Sequence, residues 1–201
     1  MCACWDRLTG VLTACADNPL GGIAVLHFRP ATAGNIADDD TSAFTFHSFE
    51  DYVSDGARVD QMLADGVRWS LRPETKDHWD GNANDLNVVI ADDMVTLARD
   101  LEPEYLALSS DGKTVYVGLQ EACAIATFDL ETNTFTQIKA LQPKRWWETS
   151  QGLDASNKDD MINMRKWHIF GMLMPDTIMA YTASDGEEYI VTANEGDDKV
   201  G

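Results

Sequence analysis

Basic residues are scarce in this chain. It carries 15 Lys and Arg against 34 Asp and Glu, a formal net charge of −19 over 201 residues. A charge that negative argues against nucleic acid or an anionic membrane surface as partner. Long hydrophobic runs are missing too. Nothing approaches the roughly 18 consecutive apolar residues that a membrane-spanning helix needs, so the sequence offers no membrane span. Cysteine is sparse and poorly spaced for metal. Cys2, Cys4 and Cys15 cluster at the start and Cys123 stands alone. Cys2 and Cys4 are too close for an ordinary metal knuckle, and no second ligand pair follows. His27, His47, His78 and His168 are scattered, which disfavours zinc.

Familiar catalytic and processing motifs are absent as well. There is no Asn-x-Ser/Thr glycosylation site and no Gly-x-Ser-x-Gly nucleophile elbow. Gly112-Lys113-Thr114 lacks the first glycine of a phosphate loop, position 107 being Ala107, and reads as a hairpin turn. The opening stretch MCACWDRLTGVLTACADN is not a secretory signal. Asp6 and Arg7 interrupt it and no basic start precedes an apolar core. Residues 1–16 therefore read as an unstructured or unrelated leader with unpaired thiols.

What is present is ordinary in bulk, 44% hydrophobic and 24% charged, and repetitive in detail. PEYLALSSDGKTVYVGLQE, Pro103 to Glu121, recurs as PDTIMAYTASDGEEYIVTANE, Pro175 to Glu195. Asp111-Gly112 matches Asp185-Gly186, and Glu121 matches Glu195 at the same spacing. Ile125-Ala126 has an upstream parallel in Ile23-Ala24. The first copy predicts four strands: Tyr105–Ser109, Thr114–Leu119, Ala124–Leu130 and Thr134–Leu141. Asp-Gly and Thr-Asn between alternating β-branched and aromatic residues are hairpin signals. Short antiparallel strands, repeated, describe the blades of a β-propeller rather than a β-sandwich. The fold class is thus all-β, a partial propeller with about two blades' worth of four-stranded antiparallel sheet.

Two long excursions, Glu50 to Leu101 and Gln142 to Met174, connect the blades. The first predicts a short helix around ARVDQMLADGVRW, with Val59, Met62, Leu63 and Val67 at helical spacing. The second is rich in methionine and tryptophan. Met161, Met164, Met172, Met174 and Met179 read as core filler, with a ligand groove as the alternative. Lys144, Arg145, Trp146 and Trp147 form a basic-aromatic patch, read as a solvated loop around a buried Trp or as a grip for phosphate or sugar. The strand count gives half a blade before Glu50, one complete blade, and half a blade at the end. The chain is therefore expected to be a segment of a larger propeller.

Three stretches in order, DLEPEYLALSSDGKTVYVGLQEACAIATFDL, GLDASNKDDMINM and PDTIMAYTASDGEEYIVTANEGD, resemble the choice-of-anchor I domain family. That family includes mesenchyme-specific cell surface glycoproteins of biomineralising cells. The resemblance covers residues from about Gly21 onward, which makes 17–201 a propeller segment. It implies an extracellular or cell-surface protein, and some relatives are described as alkaline-phosphatase-like or phytase-like. Two departures stand out. Met161 replaces the usual glycine after the acidic pair of the LDAS motif, and Arg72 to Asp93 reads as an insertion.

In a blade, the loop between strands two and three and the connections between blades share one rim. That rim gathers Glu102, Glu104, Glu121, Asp154, Asp159, Asp176, Glu195 and Asp197, with Asp160 beside Asp159. Carboxylates collected by folding repel, and a divalent cation relieves the repulsion. Calcium takes six to eight oxygens in flexible geometry, and Ser156, Asn157 and Asn194 add neutral ones. The eight acidic residues are therefore the candidate calcium ligands. DGNANDLN, Asp80 to Asn87, opens like a calcium loop, but Asp85 and Ala91 occupy the positions that need Gly and Glu, which argues against an EF-hand. The expected function is a non-enzymatic surface propeller that binds calcium and mineral or extracellular matrix. The alternatives are a metal-dependent phosphohydrolase of the alkaline phosphatase or phytase kind, and a general protein-interaction propeller.

Overall fold

The structure, a computed structural model, describes residues 3–6, 11–16, 22–27, 43–69, 97–148, 150 and 152–195. Strands β1 (Ala3–Asp6), β2 (Val11–Ala16), β3 (Gly22–His27) and β4 (Ala43–Ser48) form a four-stranded antiparallel meander. A second meander contains β5 (Pro103–Leu108), β6 (Thr114–Leu119), β7 (Ala124–Asp129) and β8 (Thr134–Ala140). A small ribbon pairs β9 (Lys144–Arg145) with β10 (Phe170–Gly171), and a hairpin pairs β11 (Pro175–Thr182) with β12 (Glu188–Asn194). The sheets are separate and antiparallel, and among the described residues none closes into a barrel. This is the partial propeller that the repeats predict.

The second meander matches expectation strand for strand. Two of its three hairpin connections, β5–β6 and β7–β8, are built by aspartate. Asp111 Oδ1 accepts from Lys113 N–H at 3.0 Å and Ser109 Oγ at 2.7 Å. Asp129 Oδ1 accepts from the N–H groups of Glu131 and Thr132, both at 2.8 Å. Gly112, with φ +74°, takes the left-handed conformation that a side chain would oppose. The copy repeats this chemistry. Asp185 Oδ1 accepts from Glu187 N–H at 3.0 Å, and Gly186 has φ +87°.

The first meander differs from expectation. Two strands were expected ahead of Glu50, and the structure has four. Ala3–Asp6 and Val11–Ala16, read as leader, pair as β1 and β2 against β3. A β3–β4 pair alone would leave the N–H and C=O row of β3 open, and β2 satisfies it. The upstream parallel nevertheless identified the right strand: β3 and β7 are each the third strand of their meander.

Alternation along β6 sets the packing order. Val115, Val117 and Leu119 are fully buried in a cluster shared with Ile23 and Val25 of β3. Tyr116 and Gly118 face the other way, toward β11 and β12. So the hairpin, the second meander and the first meander stack face to face, as neighbouring blades do. Phe128 and Phe135 meet edge-on at 5.0 Å, and Phe49 lies 4.2 Å from Phe135.

Part of the first excursion closes the outer edge of the second meander. Helix α1 (Glu50–Val53) brings Tyr52 over β8, where Ile138 N–H donates to its hydroxyl at 3.1 Å. Helix α2 (Gly56–Asp65) is capped by Asp55, which accepts from Ala57 N–H at 3.0 Å. It ends at Gly66, left-handed at φ +105°. Its apolar residue Met62 is buried and Val59 packs against the core, as the spacing predicted. A third helix, α3 (Leu97–Asp100), leads into β5. Among the described residues no helix is long and apolar enough to cross a membrane. The proposed insertion at 72–93, with the Asp80 loop and His78, lies outside the described residues.

The methionine expectation needs correction. Only Met174 is buried. Met161, Met164, Met172 and Met179 are 61%, 60%, 46% and 59% exposed. Met179 sits on the face of β11 turned away from β5. The other three belong to a loop excursion that lays little sheet across them.

Candidate functional site

Hydrogen bonds separate the two rims of the second meander. On one rim, Leu130 N–H donates to Lys113 C=O at 2.8 Å, and the Lys113 ammonium pairs with Glu131 at 2.8 Å. The β5–β6 and β7–β8 turns are therefore neighbours. On the opposite rim lies the β6–β7 loop. There Arg68 N–H donates to Ala122 C=O at 2.9 Å, and Leu141 N–H to Cys123 C=O at 2.8 Å. Both excursions thus join the rim that carries the β6–β7 loop, as blade geometry requires.

This second rim collects the predicted carboxylates. Pro103 pairs with Leu119, which sets Glu102 and Glu104 at the strand end next to Glu121. Glu195 arrives from the neighbouring blade. The Gln120 amide donates to Glu195 Oε2 at 3.2 Å, and Glu195 N–H donates to Met174 C=O at 3.0 Å. Asp176 is placed by a glycine. A Cβ on Gly118 would stand 3.2 Å from Pro175 C=O and 3.6 Å from Asp176 C=O, so a side chain here would press on the start of β11. Glu102, with φ +37°, and Cys123, with φ +51°, hold left-handed backbone that non-glycine residues adopt at a cost.

The LDAS loop is an independent unit on the same connection. Asp154 closes it at both ends. Its Oδ2 accepts from Asn163 N–H at 3.1 Å and its Oδ1 from Ser156 N–H at 3.4 Å. Leu153 bridges Arg165, and the Trp167 indole donates to Leu153 C=O at 2.7 Å. Ser156, Asn157, Asp159, Asp160, Met161 and Ile162 line a shallow cleft of about 350 Å³. Asp160, at φ +53°, takes a conformation suited to glycine. The structure thus brings Glu102, Glu104, Glu121, Asp176 and Glu195 to one rim. Asp154 and Asp159 stand on a loop that leaves and rejoins it, and Asp197 lies outside the described residues. Among the described residues no three acidic, histidine or cysteine side chains stand close enough to share one metal ion.

The chain matches the Choice-of-anchor I domain family over residues 11–200. It belongs to that family. Comparison with curated proteins and with solved structures gives no match. The family assignment agrees with the stacked antiparallel sheets, and its span includes β2 within the domain.

Sequence reasoning missed a carboxylate that joins two blades on the opposite rim. Glu188 of β12 accepts from Ser110 N–H at 2.7 Å and from the Ser110 hydroxyl at 2.8 Å. Its other oxygen accepts from the Tyr116 hydroxyl at 2.7 Å. Thr182 Oγ1 completes the chain by donating to Ser110 Oγ at 2.7 Å. The Ser110 N–H holds the Glu188 carboxyl below its ordinary range, with the Tyr116 and Ser110 hydroxyls adding to the effect. Burial, reinforced by Glu188, pushes the Tyr116 phenol up to about 12. The partners come from another repeat, so only the matching of Ser-Asp-Gly turns between copies hinted at this latch.

Proposed function

We propose that the chain forms part of an extracellular or cell-surface β-propeller whose acidic rim binds calcium and, through calcium, mineral or matrix. One observation carries this reading. Carboxylates from separate elements, the start of β5, the β6–β7 loop, the start of β11 and the end of β12, converge on a single rim. Family membership supports the surface location, and the −19 charge supports a cationic partner. No three of the described acidic groups form a ready-made cage. The proposal is therefore for weak association, with carboxylates at the rim and the LDAS loop supplemented by Asn, Ser and backbone oxygens and by water. Two of the cations that phosphate hydrolysis would draw on are engaged by indole rings. Lys144 lies over the Trp146 ring at 3.6 Å and Arg165 over Trp167 at 3.8 Å.

Calorimetric titration and thermal melting with calcium and with a chelator test the proposal. Binding to the folded state alone stabilises it by about 2.7 kcal/mol at a hundred times the dissociation constant. Glu121→Gln and Asp154→Asn should each weaken the response. An unmoved melting temperature would reduce the rim to a solvated surface. An equal response in both variants would place the ion elsewhere.

A further inference from the structure

The ribbon of β9 and β10 carries a second cleft, whose lining includes none of the proposed calcium ligands. Phe170 pairs with Arg145 and Gly171 with Lys144. Directly opposite residues share a face and neighbours alternate. Lys144 and Trp146 therefore share one face with Gly171. The ring of Trp146 fills the space a Cβ on Gly171 would take, 2.7 Å from its indole nitrogen. Arg145 and Trp147 lie on the other face with Phe170. Trp147 supports Phe170 edge-on at 5.0 Å, and His168 stacks on Trp147 at 5.7 Å.

This second face opens as a cleft of about 480 Å³ lined by Gln142, Pro143, Arg145, Glu148 and Phe170. Phe170 is 57% exposed although it is braced from behind. The Arg145 guanidinium pairs with Glu148 Oε1 at 3.2 Å, and the Gln142 amide donates to Asp65 C=O at 3.1 Å. The polar groups beside the ring are thus planar, oriented and balanced in charge.

The geometry points to this cleft as a binding site for a neutral saccharide. A pyranose presents a C–H face that stacks on an aromatic ring. It also presents hydroxyls that both donate and accept. Guanidinium N–H groups, a carboxylate and an amide oxygen beside the ring satisfy both roles. The Arg145–Glu148 pair leaves no net positive charge for a phosphate or sulfate, and the chain's net charge of −19 repels anions further. A hydroxyl-rich neutral ring suits this lining. The site uses none of the proposed calcium ligands, so it stands or falls independently of the acidic rim.

The test is a nuclear magnetic resonance titration of the full chain with chitohexaose, cellohexaose and maltohexaose. Separate arms use a heparin-derived hexasaccharide and a neutral proline-rich peptide. At least one neutral oligosaccharide should shift the Trp147 indole and the amides of Arg145, Glu148 and Phe170 saturably at millimolar concentration. Phe170→Ala should weaken that association about tenfold, Phe170→Tyr should keep it, and Arg145→Gln should weaken it. Unmoved amides in β5 to β8 confirm that the variants fold. A chelator should change nothing. Saturation by the sulfated sugar or the peptide alone, no saturable shift from any neutral sugar, or equal binding by Phe170→Ala would overturn the assignment.

Discussion

At the residue scale, a network of polar contacts joins two blades. Glu188 binds a backbone N–H and two hydroxyls across the sheet interface, and every donor in the group has an acceptor. Charge-assisted bonds contribute about 1.5–3 kcal/mol when shielded from water, and less here, where the Ser110 bonds are exposed to solvent. Glu188→Ala is expected to cost about 1–2 kcal/mol, read from chemical denaturation. The pH limits follow from the two shifts. Glu188's carboxyl titrates lower folded than its ordinary value of 4.5, so its contribution is complete above that value and is lost as pH falls through the lowered one. Tyr116 titrates at about 12 instead of 10.0, so its contribution is complete below pH 10 and is lost as pH rises toward 12. Melting temperature against pH should show a plateau between these limits. Glu188→Gln should make the acid limb shallower, and Tyr116→Phe should flatten the alkaline one.

At the element scale, what the sequence revealed was local and what it hid was not. The Asp111-Gly112 and Asp185-Gly186 turns were legible because an aspartate reaching an N–H two residues on, beside a left-handed glycine, is decided within four residues. The rim carrying Glu102, Glu104, Glu121, Asp176 and Glu195 was legible because meander connectivity alone assigns loops to rims. Strands β1 and β2 were not, since a cysteine- and alanine-rich stretch carries little alternation. Glu188 was not, because Ser110 and Tyr116 reach it from the preceding blade. The exposed methionines were not, because burial depends on what lies across from a residue. Gly118 offers a direct check on blade docking. Gly118→Val should push β11 away from β6, so that the amides of β11 and β12 exchange with solvent faster while those of β7 and β8 keep their protection.

At the scale of the whole molecule, the stacking of sheets leaves an apolar face open among the described residues. Met179, Tyr181, Tyr189 and Val191, two cross-strand pairs on β11 and β12, are 59%, 44%, 43% and 49% exposed. Such a patch promotes association. The protein should show concentration-dependent sedimentation and bind an apolar dye, and Met179→Lys with Val191→Glu should reduce both.

The acidic rim is the claim on which the functional reading depends, and the molecule contains its own control. Both rims of the second meander and the hairpin carry carboxylates, but one set belongs to strand ends and inter-blade connections, and the other to turns already filled by backbone N–H groups. Calcium titration followed amide by amide distinguishes them. Shifts are predicted at Glu102, Glu104, Gln120 to Cys123, Asp154 to Met161, Asp176 and Glu195, with Ser109 to Lys113, Leu130 to Asn133 and Ala183 to Glu188 unmoved. Shifts confined to those turns, or none at all, would contradict it.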